Sequence, residues 1–400
     1  MKKAYRVYLA YSGGIYFLFY LVFNINSYFR VTVVGLDPLQ LVLLGTLLEG
    51  SILVFEIPTG IAADLYSRKL SIIIGVFIMG TAYLLEGLFP IYPILLLEQV
   101  IAGLGWTFTS GAVEAWISDE IGEEAAGQAF MRGAQMEKIG ALAGIAASTL
   151  LASLWIRLPF LVCSGLMALG ALALIFVMPE EGFKPAPVEE RHTWQKMGET
   201  LRRGMGMVRR RPALGPILWI GLFIGLYSEG FDRLWVAHMT EQFSFPFFNG
   251  VIWMGVIQGG AMLLTALVME GVRRRVEISN QRNLVRVQAL IAALIVAGLV
   301  GFALTGQFYT AVAIFMVISI LRGVQAPLYT TWTNHRLDSQ VRATFLSIAS
   351  LVDSVGQASG GPLMGAAART AGLRWGLLTS AGLLAPVMVV FGRMIHKHEE

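Results

Sequence analysis

The sequence predicts an all-α integral membrane protein whose twelve transmembrane helices form two pseudo-symmetric six-helix bundles, and three observations carry that prediction. The chain is too apolar for water, its apolar stretches have the length of a bilayer, and its basic residues gather on one side of those stretches. Of 400 residues, 56% are hydrophobic and 14% charged, with a mean hydropathy of +0.66. A soluble domain must cover its core with polar surface, and this balance leaves too little polar material to do so.

A helix crosses the hydrocarbon in about 20 apolar residues. Such stretches occupy 7–30, 39–63, 70–89, 93–117, 127–156, 159–178, 214–238, 249–270, 284–304, 308–331, 343–367 and 374–395. The first follows Lys2, Lys3 and Arg6 and reaches Arg30. It is longer than the apolar region of a cleaved signal and has no small-residue cleavage site, so it reads as a retained span. Cys163, the single cysteine, lies in an apolar run and offers neither a disulfide framework nor a thiolate metal site.

Charge supplies the orientation. With the N-terminus in the cytoplasm, twenty-four of the thirty Lys and Arg residues fall on the inner side, while Arg30, Arg157, Arg369 and Arg374 fall on the outer side. Arg233 and Arg322 lie within spans. The bias places both termini in the cytoplasm. The net charge of +4 is therefore a topology signal and no argument for nucleic acid.

The longest loop divides the chain into an N-terminal six-helix bundle (1–178), a cytoplasmic linker (179–213) and a C-terminal six-helix bundle (214–400). Within the linker, Trp194, Met197, Leu201, Met205 and Val208 recur at helical spacing with arginines on other faces. This pattern fits a short helix on the inner membrane surface, and equally a solvated connecting helix. A shift of 216 residues aligns Trp116 with Trp332, Glu137 with Asp353, Gly140 with Gly356 and Gly144 with Gly360. Two halves built on one unit suit a solute carrier, because a site between two bundles can be exposed alternately to either side. The paired glycines allow close helix approach.

The end of the second span reads Glu56-Ile-Pro-Thr-Gly60-Ile-Ala-Ala-Asp64-Leu-Tyr-Ser-Arg68-Lys69. It resembles the signature between spans two and three of the major facilitator superfamily, with Leu65 where a basic residue is usual and Ser67 where glycine is usual. Gln99-Val-Ile-Ala-Gly103-Leu-Gly105 is similar to the family's Arg-x-x-x-Gly-x-Gly, with Gln99 in place of arginine. Ser110-Gly-Ala-Val-Glu114-Ala-Trp116 and Arg342-Ala-Thr-Phe-Leu-Ser347 add a likeness to the bacterial drug and small-solute exporters of that superfamily. The resemblance implies a central cavity, alternating access and a place in a bacterial inner membrane. In it, Gly60, Asp64, Arg68 and Lys69 form a gating motif, with Asp64 facing Arg68 and the start of span eleven.

Charges in hydrocarbon cost about 2.5–3.5 kcal/mol each on insertion scales and are functional candidates by default. Glu49, Glu137, Glu229 and Asp353 are the candidates for proton coupling, and a purely structural ion pair is the competing reading for each. Arg233 and Arg322 are the buried charge partners. Glu229 and Arg233 stand four apart on one helix face, and the matching depths of Arg322 and Asp353 predict that these two pair. Substrate-cavity candidates are Tyr16, Tyr20, Trp106, Ser110, Glu114, Tyr227, Gln325, Tyr329 and Gln357. Their aromatic rings suit flat, amphipathic or cationic molecules.

These features point to a secondary active transporter, proton-coupled and exporting small amphipathic or cationic molecules. A lipid or lysolipid flippase and a solute uptake symporter of the same fold stay open. The expected partners are a small-molecule substrate, protons and the lipid bilayer, with the chain acting as a monomer. No catalytic motif, phosphate-binding loop or metal-ligand spacing appears, so neither enzyme chemistry nor a cofactor is expected.

Overall fold

The computed structural model describes residues 2–185, 198, 199, 202, 206, 208, 214–275, 281–335 and 339–396. Fourteen α-helices are named here in chain order: α1 Lys2–Phe29, α2 Pro38–Leu65, α3 Arg68–Leu88, α4 Tyr92–Thr109, α5 Ala112–Ile121, α6 Glu123–Leu154, α7 Leu158–Val177, α8 Gly215–Gln242, α9 Gly250–Arg275, α10 Gln281–Leu304, α11 Phe308–His335, α12 Ser339–Ala371, α13 Leu373–Leu384 and α14 Pro386–His396. They make twelve spans, because α4 runs into α5 and α13 into α14. The linker helix expected around Trp194 to Val208 lies outside the described residues, apart from isolated positions.

Helix ends follow local chemistry. Ser67 accepts a hydrogen bond from the Leu70 amide and starts α3. Proline stands in the first turn of α4, α7 and α8, where its missing N–H costs nothing. Among the described residues, ten helical stretches are long and apolar enough to cross a membrane. The other two spans, α8 and α12, carry Glu229, Asp232, Arg233 and Asp353, and this polar load sets them apart.

Three spans depart from the continuous helices expected, the twelfth by a turn at Ala385 ahead of Pro386. The fourth breaks at Ser110 and Gly111, where Gly111 takes φ +73°, a conformation that an L-residue adopts only at a cost. The first ends in a π-helical turn, Arg30–Val34. A shift of 216 residues carries Gly111 onto Pro327 inside α11. Each half thus has a helix-disrupting residue at one repeat position, and only the first half breaks there.

The chain divides into two compact units. Unit one holds 1–35, 47–197 and 251–255, and unit two holds 36–46, 198–250 and 256–400. The first turns of α2 thus pack with the second unit, and the first turn of α9 with the first. In unit one α1 lies along α6, and α3 packs on α4 and α7. In unit two α8 lies along α12 and α13. Leu21, Val22, Ile25, Phe29, Phe160 and Met167 belong to a buried apolar cluster of the unit-one core.

Both units use the same glycine seam. A methyl group on Gly140 would strike the Gly13 carbonyl, and one on Gly144 the Phe17 carbonyl. In unit two, Gly356 meets the backbone of Leu222 and Leu226, and Gly360 meets that of Leu226. The seam brings α6 onto α1 and α12 onto α8 at backbone distance. It also sets Glu137 and Asp353, each three residues before the first glycine, beside those partner helices.

Candidate functional site

In unit one the seam orients the polar residues of α1, α5 and α6. Glu137 lies beside Tyr16, and Thr109 beside Tyr11. Glu114, in the first turn of α5, is exposed and lies within electrostatic reach of Tyr8, Tyr11, Tyr16 and Glu137. Two carboxylates thus stand among three tyrosines. Nearby, Phe19 packs against Tyr20, Phe23 and Trp106 with ring centroids 5.6, 5.2 and 6.2 Å apart. Trp106 and Ser110 are exposed, and Tyr16 and Tyr20 are half-buried.

At the end of unit one that holds the chain's N-terminus, the residues after α2 form a latch. Arg68 donates to the Ala115 carbonyl at 2.7 Å and to the Asp119 carboxylate. Ser67 Oγ donates to Glu180 Oε2 at 2.6 Å, and the Lys69 amide donates to Glu180 Oε1 at 2.8 Å. Trp116 Nε1 reaches the Pro179 carbonyl at 2.7 Å, and Glu120 accepts from the amides of Glu181 and Gly182 at 2.7 Å each. These bonds fasten the Gly60–Lys69 motif, α5 and the start of the linker together. Ser67 therefore has a specific use in this chain: its hydroxyl both caps α3 and binds Glu180. Asp64 is half-buried. The side chains that begin α12, to which Asp64 was assigned a contact, lie outside the described residues.

Unit two holds the charged pairs. Arg233 Nε donates to Glu229 Oε1 at 2.7 Å, one turn apart on α8. Gly45 packs on this pair so closely that an added methyl would overlap the Glu229 carboxylate and the Arg233 guanidinium. Arg322 pairs with Asp232, not with Asp353 as its depth suggested: Nη1···Oδ1 is 2.5 Å and Nη2···Oδ2 is 2.7 Å. Arg322 also lies 5.7 Å from the ring centre of Tyr227 and 5.6 Å from that of Phe231 on α8. Asp353 instead accepts from Gln357 Nε2 at 2.8 Å, one turn along α12.

Several cavity candidates are not open to solvent. Tyr227 is 1% and Gln325 3% exposed. The Gln325 carbonyl accepts from Gln288 Nε2 of α10 at 3.3 Å, which places that part of α11 against α10. Tyr329 is half-buried and donates to the Ile217 carbonyl at 2.7 Å. Glu49 is half-buried.

One cluster escaped sequence reasoning. Arg30, expected on the outer side of the membrane, is 3% exposed and bonds to Glu86 and Glu98, at 0% and 1%. Arg30 Nε and Nη2 reach the two Glu86 oxygens at 2.7 and 2.9 Å, and Nη2 reaches Glu98 Oε2 at 3.3 Å. Two acids near span ends were the available signal. They lie two residues before the end of α3 and six residues after the start of α4.

Membrane-length helices arranged as two repeated units, each with carboxylates held inside, define a polytopic membrane carrier. A model of the Major Facilitator Superfamily matches residues 9–360. The chain belongs to that family and is a multi-span membrane transporter. It is 24% identical over 361 residues to the uncharacterised MFS-type transporter YxaM of Bacillus subtilis (strain 168), covering 88% of this chain and 87% of that protein. The fold is also that of the nucleoside transporter NupG, with a TM-score of 0.78 at 14% identity over 98% of each chain. A bacterial homologue of the human lysosomal transporter Spinster gives 0.72 at 14% identity, covering 96% of this chain and 95% of that one. The peptide-family transporter PepTSo gives 0.70 at 13% identity, covering 100% and 99%.

Proposed function

We propose that this transporter works by alternating access as a proton-coupled exporter of small amphipathic or cationic molecules. The observation that carries this reading is the unit-one cluster: Glu114 and Glu137 stand among Tyr8, Tyr11 and Tyr16, beside the rings of Phe19, Tyr20 and Trp106. Carboxylates among aromatic faces attract an organic cation by charge and by cation–π contact. The same carboxylates can bind a proton in its place, and that competition is the basis of antiport. Glu137 and Asp353 occupy one repeat position and have no cation bonded to them among the described contacts. They are the first choice for the proton carrier, ahead of Glu229, whose carboxylate is bound to Arg233, and Glu49.

In this reading, Gly60, Asp64, Arg68 and Lys69 act as the inner gate. Both termini lie in the cytoplasm of a bacterial cell, the two six-helix bundles are 1–178 and 214–400, and the working form is a monomer. The positive-inside count supports the orientation.

Uptake symport is the second reading, and a specific observation favours it. The Asp232–Arg322 pair retains side-chain exposures of 41% and 26%, and an acid beside a base suits a zwitterionic solute. Nucleoside and peptide transporters are among the similar structures. A lipid or lysolipid flippase is the third reading.

The test is proton release from purified, detergent-solubilised protein on addition of cationic dyes, tetracyclines or lysolipids, with Glu137→Gln and Asp353→Asn alongside. Ligand-linked release that one variant abolishes supports antiport and identifies the carrier. Binding with no proton change from pH 6 to 9 overturns it.

A further inference from the structure

The loop between α8 and α9 is held in a conformation that its own sequence opposes. The Phe248 amide donates to the Pro246 carbonyl at 2.7 Å, closing a three-residue turn centred on Phe247, which takes φ +61°. This is the rare, strained form of the γ-turn, and a bulky L-residue is an outlier at positive φ. Phe247 is moreover 92% exposed and Phe248 54%, so the strain serves no packing inside the chain. An apolar ring held away from the fold by a strained backbone is doubly unfavourable in water. Something outside the chain must offset both effects.

Between Glu241 and Glu270 the sequence holds no charged residue, so the loop carries no charge that would keep it in water. Phe243 and Phe245 each set their ring edge-on to Phe308, with centroids 6.2 and 5.7 Å apart. Phe308 is the first residue of α11, so these contacts keep the loop at the level where that span begins. Phe247 stands two residues beyond Phe245, at most about 7 Å along an extended chain. The headgroup layer is about 5–7 Å deep on each side of the hydrocarbon. The tip therefore stays within that layer. At the same end of unit two, Leu304 of α10, Tyr309 of α11 and Trp375 of α13 are 57%, 57% and 58% exposed. Exposed aromatic rings gathered at one end of a bundle mark the membrane–water boundary.

We propose that Phe247 and Phe248 form a lipid-inserted wedge. The two rings enter the boundary between headgroups and acyl chains in the leaflet at this end, the outer one in the orientation proposed above. Phenylalanine has no polar tip to keep at the water surface, so it suits the acyl side of that boundary. The strained turn holds both rings outside the fold, where lipid can take them, and so ties the ends of α8 and α9 to the bilayer. The loop offers no charge to a headgroup, so its partner is the glycerol and upper acyl region common to phospholipids.

The experiment is spin labelling of the full-length protein in phospholipid vesicles, at Phe247→Cys and, separately, at Phe248→Cys. Cys163 is buried and should stay unlabelled, which the protein without the new cysteine checks. Power saturation with oxygen, which concentrates in lipid, and with a nickel chelate, which stays in water, reads the depth of the label. Glu181→Cys, at an exposed position, gives the water reference. The ratio of oxygen to chelate accessibility at position 247 is expected to exceed that reference several-fold. A ratio at position 247 equal to the reference puts the tip in water and overturns the proposal. A label shielded from both reagents shows a protein partner, a second copy of this chain or another polypeptide, and overturns it as well. Should Phe247→Cys fail to fold, Phe248→Cys carries the same three readings. No transported solute enters the measurement, so it succeeds or fails independently of the export reading.

Discussion

Arg322 of α11 and Asp232 of α8 meet through both guanidinium nitrogens and both carboxylate oxygens, at 2.5 and 2.7 Å, although ninety residues separate them. The rings of Tyr227 and Phe231 lie against the same guanidinium. Three side chains of one helix thus converge on one arginine of another, so the pair both joins the two helices and presents charge. Removing one partner of a fully buried pair costs about 3–5 kcal/mol. With part of this pair exposed, Asp232→Asn is expected to lose about 1–3 kcal/mol. Arg322→Lys cannot restore the two-point contact. Both variants should melt below wild type in detergent, and Arg322→Lys melting at the wild-type temperature would contradict the geometry.

The glycine seams predict a sharp contrast between glycines. Gly140→Ala and Gly360→Ala place a methyl group into the backbone of the partner helix, an overpacking worth about 1–3 kcal/mol. Gly170→Ala meets nothing within 4 Å, so it should be neutral or slightly stabilising, since alanine favours the helix. Melting temperatures and membrane expression of the three variants, measured side by side, check this.

Glu180 binds both the Ser67 hydroxyl and the Lys69 amide. Glu180→Ala leaves both donors without their acceptor, a loss of about 1.5 kcal/mol for bonds to a charged group. Limited proteolysis between α2 and α3 should become faster. Glu181→Ala, which removes an exposed side chain, should cut at the wild-type rate. Equal rates for all three proteins would show that the latch does not order this segment.

The export reading predicts a division of labour among the acids. Glu114→Gln should weaken binding of a cationic ligand by several-fold while leaving the proton count per ligand intact. Loss of proton release is expected from Glu137→Gln or Asp353→Asn. Calorimetric titration in two buffers of different ionisation enthalpy separates the two effects. A Glu114→Gln variant that loses proton release with unchanged affinity would reverse the roles.

Much of this molecule was legible before any coordinates. Twelve spans follow from local rules, because bilayer thickness sets helix length and helix periodicity sets faces, although the helix ends fall up to five residues from those expected. The Gly140 and Gly144 pair announced close packing for the same reason: only a missing side chain lets two backbones touch. The break at Gly111 was not predicted, since glycine permits a left-handed turn without requiring one.

What the sequence determined by itself was therefore depth and face: how far along a span each charge lies and which residues share its side of the helix. Tertiary structure alone decided partnership. Arg322 was expected to meet Asp353, yet its guanidinium reaches Asp232 of α8, and Asp353 is held by Gln357. Arg30 looked like an interfacial residue until α3 and α4 brought Glu86 and Glu98 around it. Helix rotation and neighbour choice depend on packing summed over the whole bundle, and no single segment encodes that sum.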